Sequence, residues 1–246
     1  MELTVLGRCG PFPAPGCACS GYLLRCGRKN IVLELGSGAF ERLYGLLPGL
    51  NIDCAVLSHL HSDHMSDMLI LRYALAQLSE RGACGPLPLP VIAPAEPREE
   101  FRMLASSGVF DLTAIKDGAR IRLDDVTFTF HRMTHPLPSY AVSIEYGGKR
   151  LFYTGDTGMR HDLVGLCAGA DLLLADVCYL NEDLRNPVAP HLTAGQAGNL
   201  AAAAGVDMLV CTHIWGGLRD TTELLRQARA AFPKAVVAEE MATYPI

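Results

Sequence analysis

Apolar and polar residues follow strand-type and helix-type periodicities along this chain, and the first half begins with short β-type runs. Strands are expected at Leu3–Gly7, Gly21–Cys26, Asn30–Leu35 and Asp53–Ser58. The last of these is a continuous apolar run, which is typical of a strand buried on both faces. Between the third and fourth runs, Gly36-Ser37-Gly38 leads into a helix that we expect to reach Leu47.

A second batch of strands follows, and it too carries helices. The chain alternates in β fashion from Asp111 to Thr154, with Gly147-Gly148 as the expected hairpin turn. Further strands are predicted at Val91–Ala93, Leu172–Val177, Asp207–Thr212 and Val236–Ala238. Helices are predicted at Met65–Glu80, Pro97–Ser107, Thr193–Ala204 (with Thr193 as N-cap) and Asp220–Ala231. Two batches of strands with helices outside favour a four-layer αββα sandwich over a doubly wound sheet, whose strands and helices would alternate throughout.

Composition supports one globular α/β domain spanning residues 1–246. Half of the residues are hydrophobic and 19% are charged, which allows a sizeable core. The formal net charge is -5. A protein that relies on non-specific phosphate contacts is normally basic, so this balance argues against a broad nucleic-acid surface.

The cysteines and the start of the chain predict a cytoplasmic protein without a membrane segment. Nine cysteines are an odd number, and a chain of this length needs no disulfide scaffold. The first residues, Met1–Leu6, form a β-type run without the basic start of a signal peptide. No apolar run reaches the roughly 18 residues that a membrane helix requires.

The main chemical signal is the segment Ser58–His64, which follows the expected buried strand and holds three of the eight histidines. His59 and His61 are two positions apart and can point the same way from a tight loop. Asp63 and His64 are adjacent and can aim at a second point nearby. Imidazole and carboxylate ligands suit Zn, Mn or Fe(II), so the segment predicts a metal site.

This segment resembles the HxHxDH signature of the metallo-β-lactamase superfamily. Three further residues stand at the ends of later strands in the family order: His135, Asp156 in a Thr-Gly-Asp-Thr sequence, and His213. The resemblance implies two divalent metal ions, Zn or alternatively Mn. It assigns His59, His61 and His135 to one metal, Asp63, His64 and His213 to the other, and Asp156 to both. A hydroxide between the two cations is then the expected nucleophile, because the cations lower the pKa of water.

The sequence departs from the family at one position near this motif. Members usually carry Asp in the strand before the Gly-Ser-Gly turn, whereas this chain has Glu34. Glu34 either supports the histidine segment from behind or is a solvated carboxylate at a strand end.

A second motif indicates which branch of the superfamily the chain resembles. His191-Leu192-Thr193 lies at the start of the helix that precedes His213 and is similar to a motif of ribonuclease Z and its phosphodiesterase relatives. The resemblance implies that His191 stabilises charge on the scissile phosphate, and that Asp63 shuttles a proton as well as binding metal. The expected substrate is a phosphodiester: a small molecule, a cyclic nucleotide or an RNA 3′ end.

Ribonuclease Z itself carries a long arm that grips tRNA, between its third histidine motif and its bridging Asp. Here His135 and Asp156 are only 21 positions apart, which leaves room for one hairpin. Cleavage of pre-tRNA, although it stays an alternative, would therefore need another binding mode. Relatives of this branch are often dimers, so a homodimer is a further expectation. The apolar stretch Leu69–Leu78 either lies at that interface or forms the inner face of its own helix.

Three other functions compete with the diesterase. Hydrolysis of a lactone or thioester uses the same metals. Glyoxalase II-like enzymes usually add a helical C-terminal domain, for which the last thirty or so residues leave no room, whereas lactonase activity stays an alternative. Flavodiiron redox proteins carry Glu where this chain has His61. Non-catalytic proteins of this fold tend to lose ligands, and all seven expected ligands are present here.

Overall fold

The computed structural model describes residues 1–184, 189–215 and 221–246, and it contains two β-sheets. The strands of the first sheet are β1 Glu2–Gly7, β2 Gly21–Cys26, β3 Lys29–Leu35, β4 Cys54–Val56, β5 Leu89–Pro94, β6 Phe110–Ile115 and β15 Thr243–Pro245. Their order across the sheet is β15-β1-β2-β3-β4-β5-β6. The pairs among β15, β1, β2 and β3 are antiparallel, and those from β3 to β6 are parallel.

The second sheet repeats this mixture of antiparallel and parallel pairs. Its strands are β7 Arg120–Leu123, β8 Val126–Arg132, β9 Tyr140–Tyr146, β10 Lys149–Tyr153, β11 Leu172–Tyr179, β12 Leu192–Thr193, β13 Met208–Thr212 and β14 Ala235–Val237. Their order is β14-β13-β11-β10-β9-β8-β7, with the short β12 paired to β11. Strands β7 to β10 pair antiparallel, and β10, β11, β13 and β14 pair parallel.

Helices cover the outer face of each sheet and complete the predicted αββα sandwich. The helices are α1 Ala39–Leu46, α2 Ser62–Ser79, α3 Arg98–Ala105, α4 Leu163–Cys167, α5 Ala194–Ala204 and α6 Thr221–Arg229, with a 3-10 turn at Asn181–Asp183. Residues of α1, α2 and α3 share an apolar core with the first sheet, and residues of α4, α5 and α6 share one with the second. A third core fills the space between the sheets.

The central strands are apolar on both faces, which explains their continuous hydrophobic runs. In β3, Ile31 and Leu33 belong to the core between the sheets, whereas Val32 packs toward the helices. In β11, Leu174 and Leu173 divide in the same way. Successive side chains of a strand point to opposite faces, so a strand between two cores needs apolar residues at every position.

The predicted helix cap at Thr193 and the predicted hairpin turn at Gly147-Gly148 are both confirmed. Thr193 caps α5: its Oγ1 accepts a hydrogen bond from the backbone N–H of Gln196 at 3.2 Å, and the Gln196 side chain accepts one from the Thr193 N–H. Gly147 and Gly148 join β9 to β10 with positive φ angles, which glycine adopts without steric cost. The predicted helix start at Asp220 lies outside the described residues.

Helix α2 starts earlier than predicted, and its burial shows which side of the apolar stretch Leu69–Leu78 faces the core. It begins at Ser62 rather than Met65, so Asp63 and His64 lie in its first turn and not in a loop. Leu71 and Leu75 are buried against the first sheet, so the apolar stretch does form an inner face. Within the described part of the chain, no helix combines the length and the apolar character that a membrane crossing requires.

Candidate metal centre

The predicted metal ligands come together at one edge of the two sheets, where several strands end. His59 and His61 follow β4, Asp63 and His64 lie in the first turn of α2, His135 lies between β8 and β9, Asp156 follows β10, and His213 follows β13. The carboxyl ends of neighbouring parallel strands meet at the same edge, which is where open α/β sheets bind their ligands.

One group of nitrogen donors surrounds His61. Its Nδ1 lies 2.9 Å from His59 Nε2 and 3.2 Å from His135 Nε2. Asp156 completes this group, with Oδ2 at 3.6 Å from His59 Nε2. These four donors lie within 4.8 Å of one another, which is close enough for all of them to hold one ion.

A second group of donors lies beside the first. His213 Nε2 and His64 Nε2 lie 3.1 Å and 3.5 Å from Asp63 Oδ2. Asp156 reaches this group through its other oxygen, Oδ1, which is 3.4 Å from His64 Nε2. Asp156 therefore lies between the two groups, and its Oδ2 faces both of them, since it also lies 3.4 Å from His213 Nε2.

The donor set fits divalent cations on its own chemistry. Both His64 Nε2 and Asp156 Oδ1 are buried, and among the described residues neither has a hydrogen-bond partner. A polar atom buried without a partner is costly, and coordination of a cation removes that cost. Nitrogen donors combined with carboxylate oxygens suit Zn or Mn.

The two groups differ in their protonation. Burial lowers the pKa of His59, His61 and His135 below the ordinary histidine value, so these rings stay neutral and keep a nitrogen lone pair for a metal. Burial acts the same way on His64 and His213, but the surrounding carboxylates, Asp156 foremost, together outweigh it and raise the pKa of both rings well above the ordinary value. These carboxylates make the second group a favourable place for positive charge, such as that of a cation.

Glu34 is fully buried behind the second group, which removes the alternative of a solvated carboxylate. Its Oε1 accepts a hydrogen bond from the backbone N–H of Ser58 at 2.7 Å, and its Oε2 lies 3.5 Å from His64 Nδ1. Burial raises the pKa of the Glu34 carboxyl. The residue also adopts a positive φ of 58°, which costs on the order of 1–3 kcal/mol for a non-glycine residue.

Asp176 is a site residue that the sequence interpretation missed. It is fully buried near the end of β11, its Oδ2 lies 2.8 Å from His191 Nδ1, and its Oδ1 lies 3.3 Å from His213 Nδ1. It also accepts a hydrogen bond from the backbone N–H of Thr157. Its signal was a carboxylate inside the otherwise apolar run Leu172–Val177, where a charge is expensive unless it has partners.

His191 lies beside the donor groups without belonging to the set that the resemblance assigns. Its ring stacks on His213 at 5.1 Å between centroids, and its Nδ1 lies 3.8 Å from Asp156 Oδ2. Burial opposes a charge on His191, but Asp176 outweighs burial and raises the pKa of the imidazole. Asp176 thus holds the imidazole next to the two groups and favours its protonated form.

Two glycines allow the close approaches that assemble this edge. A Cβ at Gly36 would overlap the backbone carbonyl of Asp63, and a Cβ at Gly10 would overlap the His213 imidazole. Only glycine lets the backbone approach so closely. The Gly36-Ser37-Gly38 turn therefore serves the start of α2 as well as that of α1.

The remaining histidines lie outside the donor groups. His131 is half-buried on β8, with its ring 6.4 Å from that of Phe152, and His161 is exposed. Trp215, two residues after His213, is half-buried and contacts Phe12 edge-on.

Comparison with known proteins identifies the class. Residues 43–214 match the model of the β-lactamase superfamily domain. The chain is 31% identical to the probable metallo-hydrolase YhfI of Bacillus subtilis over 94% of both chains. It therefore belongs to the metallo-β-lactamase superfamily and is a hydrolase of that class.

Two further similarities place it within the superfamily. The crystal structure of YhfI superimposes with a TM-score of 0.90 and 27% identity, covering 99% of both chains. Ribonuclease Z of Mycobacterium avium is 28% identical, covering 87% of this chain and 85% of that protein. The similarity to these proteins extends over nearly the whole fold and not only over the histidine motif.

Proposed function

We propose that this protein is a dinuclear metal-dependent phosphodiesterase. The observation that carries the proposal is the position of His191, an imidazole that Asp176 holds beside two donor groups which share Asp156. One divalent ion, zinc or manganese, would be held by His59, His61 and His135, and another by Asp63, His64 and His213, with Asp156 between them. When bound, such ions lower the pKa of water and offset negative charge on the phosphate.

The residues around the donor groups provide the proton chemistry of hydrolysis. Attack of water on phosphorus breaks one P–O bond, releases a proton from the water and requires a proton on the leaving oxygen. His191, with Nδ1 directed to Asp176, keeps Nε2 as its second donor and can protonate that oxygen. Burial opposes ionisation of Asp63, but His64 and His213 lower its pKa below the ordinary value, so the carboxylate stays ionised and can bind a metal. Its role as the acceptor of the proton from water comes from the family resemblance alone.

The charge of the site favours a phosphodiester over an acyl substrate. A phosphodiester is an anion that gains further charge during attack, whereas a lactone or thioester starts neutral. Two cations and the His191 imidazole N–H beside them therefore stabilise the phosphoryl transition state more strongly than the acyl one. The similarity to a protein named ribonuclease Z also supports a phosphodiester substrate.

The short connection between His135 and Asp156 favours a small diester over pre-tRNA. Strands β9 and β10 fill that connection as one tight hairpin, so no long arm extends there. A small-molecule diester, a cyclic nucleotide or a short RNA 3′ end is therefore the proposed substrate class. Homodimer formation and a cytoplasmic location stay predictions.

The test combines metal analysis with a substrate panel. We expect mass spectrometry to find about two metal ions per chain and the protein to hydrolyse bis(p-nitrophenyl) phosphate only with zinc or manganese. The exposed His161→Ala variant is the matched control and should keep both properties. Two bound metals without diester hydrolysis, together with turnover of a lactone or thioester, would overturn the proposal, as would the absence of metal after reconstitution.

A further inference from the structure

The exposed Phe12 and the half-buried Trp215 form an aromatic pair that lies at the same edge as the candidate metal centre. The loop that carries Phe12 is joined to the segment after β13 by two backbone hydrogen bonds: Gly10 N–H donates to the Ile214 carbonyl at 3.0 Å, and Ile214 N–H donates to the Arg8 carbonyl at 2.8 Å. These bonds fix the position of the loop relative to Trp215.

The loop that carries Phe12 also packs directly against the metal-site residue His213. Gly10 lies so close to the His213 imidazole that a Cβ would overlap the ring. Phe12 is two residues beyond Gly10, and Trp215 is two residues beyond His213. Consecutive Cα atoms are about 3.8 Å apart. The Cα atom of Phe12 therefore lies within about 8 Å of that of Gly10, and the Cα atom of Trp215 lies within about 8 Å of that of His213.

The geometry of the pair leaves aromatic surface for a ligand. The rings of Phe12 and Trp215 meet edge-on, with centroids 6.3 Å apart and an interplanar angle of 84°. The Phe12 side chain remains 48% exposed, although most large apolar side chains of this protein are buried. An exposed apolar ring beside an active site is a surface on which a planar ring can stack.

We propose that Phe12 and Trp215 form a stacking platform for a planar heteroaromatic group on the substrate, such as a nucleobase. The inference rests on the proposed phosphodiesterase function, because it assigns the ring to one ester arm of the diester held at the metal centre. Phe12 is two residues from Gly10, and Gly10 packs against the metal-site residue His213. Because the pair is this close to the metal centre, we expect a group of the bound substrate to occupy it. Stacking tolerates any base, so the platform favours nucleotide diesters as a class over diesters with only alkyl arms.

The first measurement uses Trp215, the one tryptophan of the chain, as a direct reporter. The zinc-loaded protein is titrated with AMP and with ribose 5-phosphate while its tryptophan fluorescence is followed. We expect a saturable change with AMP, a much smaller one with ribose 5-phosphate, and about tenfold weaker AMP binding in Phe12→Ala. Equal responses to the two ligands, or an unchanged AMP affinity in Phe12→Ala, would overturn the platform.

The second measurement links the platform to turnover. The p-nitrophenyl ester of thymidine 5′-phosphate and ethyl p-nitrophenyl phosphate share a leaving group and differ in the ring on the other arm. We expect wild type to prefer the thymidine ester in kcat/KM and Phe12→Ala to reduce that preference about tenfold, mainly through KM. Phe12→Leu, which keeps an apolar side chain without a ring, should behave like Phe12→Ala.

The control for both measurements is Tyr73→Ala, which removes a 69% exposed aromatic side chain on α2. It should leave the fluorescence response and the substrate preference unchanged. If neither ester is hydrolysed but AMP still changes Trp215 fluorescence in a Phe12-dependent way, the proposed function fails and the platform stands. If both esters are hydrolysed with a preference that Phe12→Ala does not alter, the function stands and the platform fails.

Discussion

The two halves of the candidate metal centre are built in different ways. The first half is contiguous: four candidate ligands lie between His59 and His64, at the junction of β4 with α2. The second half is assembled from His135, Asp156, Asp176, His191 and His213, which lie on separate loops and strands of the other sheet. The first half depends on one local turn, whereas the second depends on how strands align.

Strand register is what assembles the second half. In the parallel pairing of β11 with β13, Asp176 lies opposite Thr212, the residue before His213. The pairing of β10 with β11 sets Tyr153 opposite Leu174, which brings Asp156 toward the same edge. A shift of one residue in either pair would turn Asp176 to the other face of the sheet and separate it from both imidazoles. Four predictions test this contrast.

The largest effect is expected at Asp156, a residue of the assembled half that lies between the two donor groups. Asp156→Ala removes the carboxylate whose oxygens lie near both donor groups. We expect diesterase activity to fall by about a thousandfold or more, and metal content to fall below two ions per chain. Measured kcat and metal analysis check this. Full metal content with normal turnover would show that Asp156 does not hold metal for the two donor groups.

The next effect separates catalysis from metal binding within the second half. His191→Ala should lower kcat by about a hundredfold, because the proton donor is lost, while metal content stays at the wild-type level. His161→Ala, an exposed histidine outside the donor groups, is the control. A diesterase rate that His191→Ala leaves intact contradicts the assigned role, and a loss of metal would instead make His191 a ligand.

A smaller effect tests the carboxylate that organises the second half. Asp176→Asn keeps the shape but replaces one acceptor oxygen with an NH2 group, so the side chain no longer places a carboxylate oxygen beside both His191 and His213. We expect activity to fall by about ten- to a hundredfold, with the same global fold by circular dichroism. Activity within twofold of wild type would mean that the two rings are held by other contacts.

The smallest effect on activity is expected at Glu34, which lies behind His64 of the contiguous half. Glu34 contacts both the Ser58 N–H and His64 Nδ1, and an amide at this position loses one of the two contacts whichever way it turns. Glu34→Gln should therefore weaken metal affinity about tenfold and leave kcat near normal when metal is saturating. Titration of the metal-free protein measures this. Unchanged affinity would show that α2 alone positions His64.

Sequence reasoning named the four candidate ligands between His59 and His64 because ligand spacing in a short segment is a local property. It named His135, Asp156 and His213 only through the family resemblance. It also predicted the sandwich, the Thr193 cap and the hairpin at Gly147-Gly148, which depend on hydrophobic periodicity and turn chemistry. It missed Asp176, because a single carboxylate in an apolar strand becomes meaningful only when its partners are known. It also placed the start of α2 three residues late, since the polar residues of the motif do not show helical periodicity.

The sequence by itself determined the order of the elements, the contiguous histidine motif and the resemblance to the metallo-β-lactamase superfamily. These follow from neighbouring residues, whose periodicity and spacing are set along the chain. Only the tertiary structure decided that Glu34 is buried behind His64, that Asp176 holds two imidazoles, and that Phe12 lies beside Trp215. Each of these contacts joins residues far apart in the chain, and strand pairing and core packing alone bring them together.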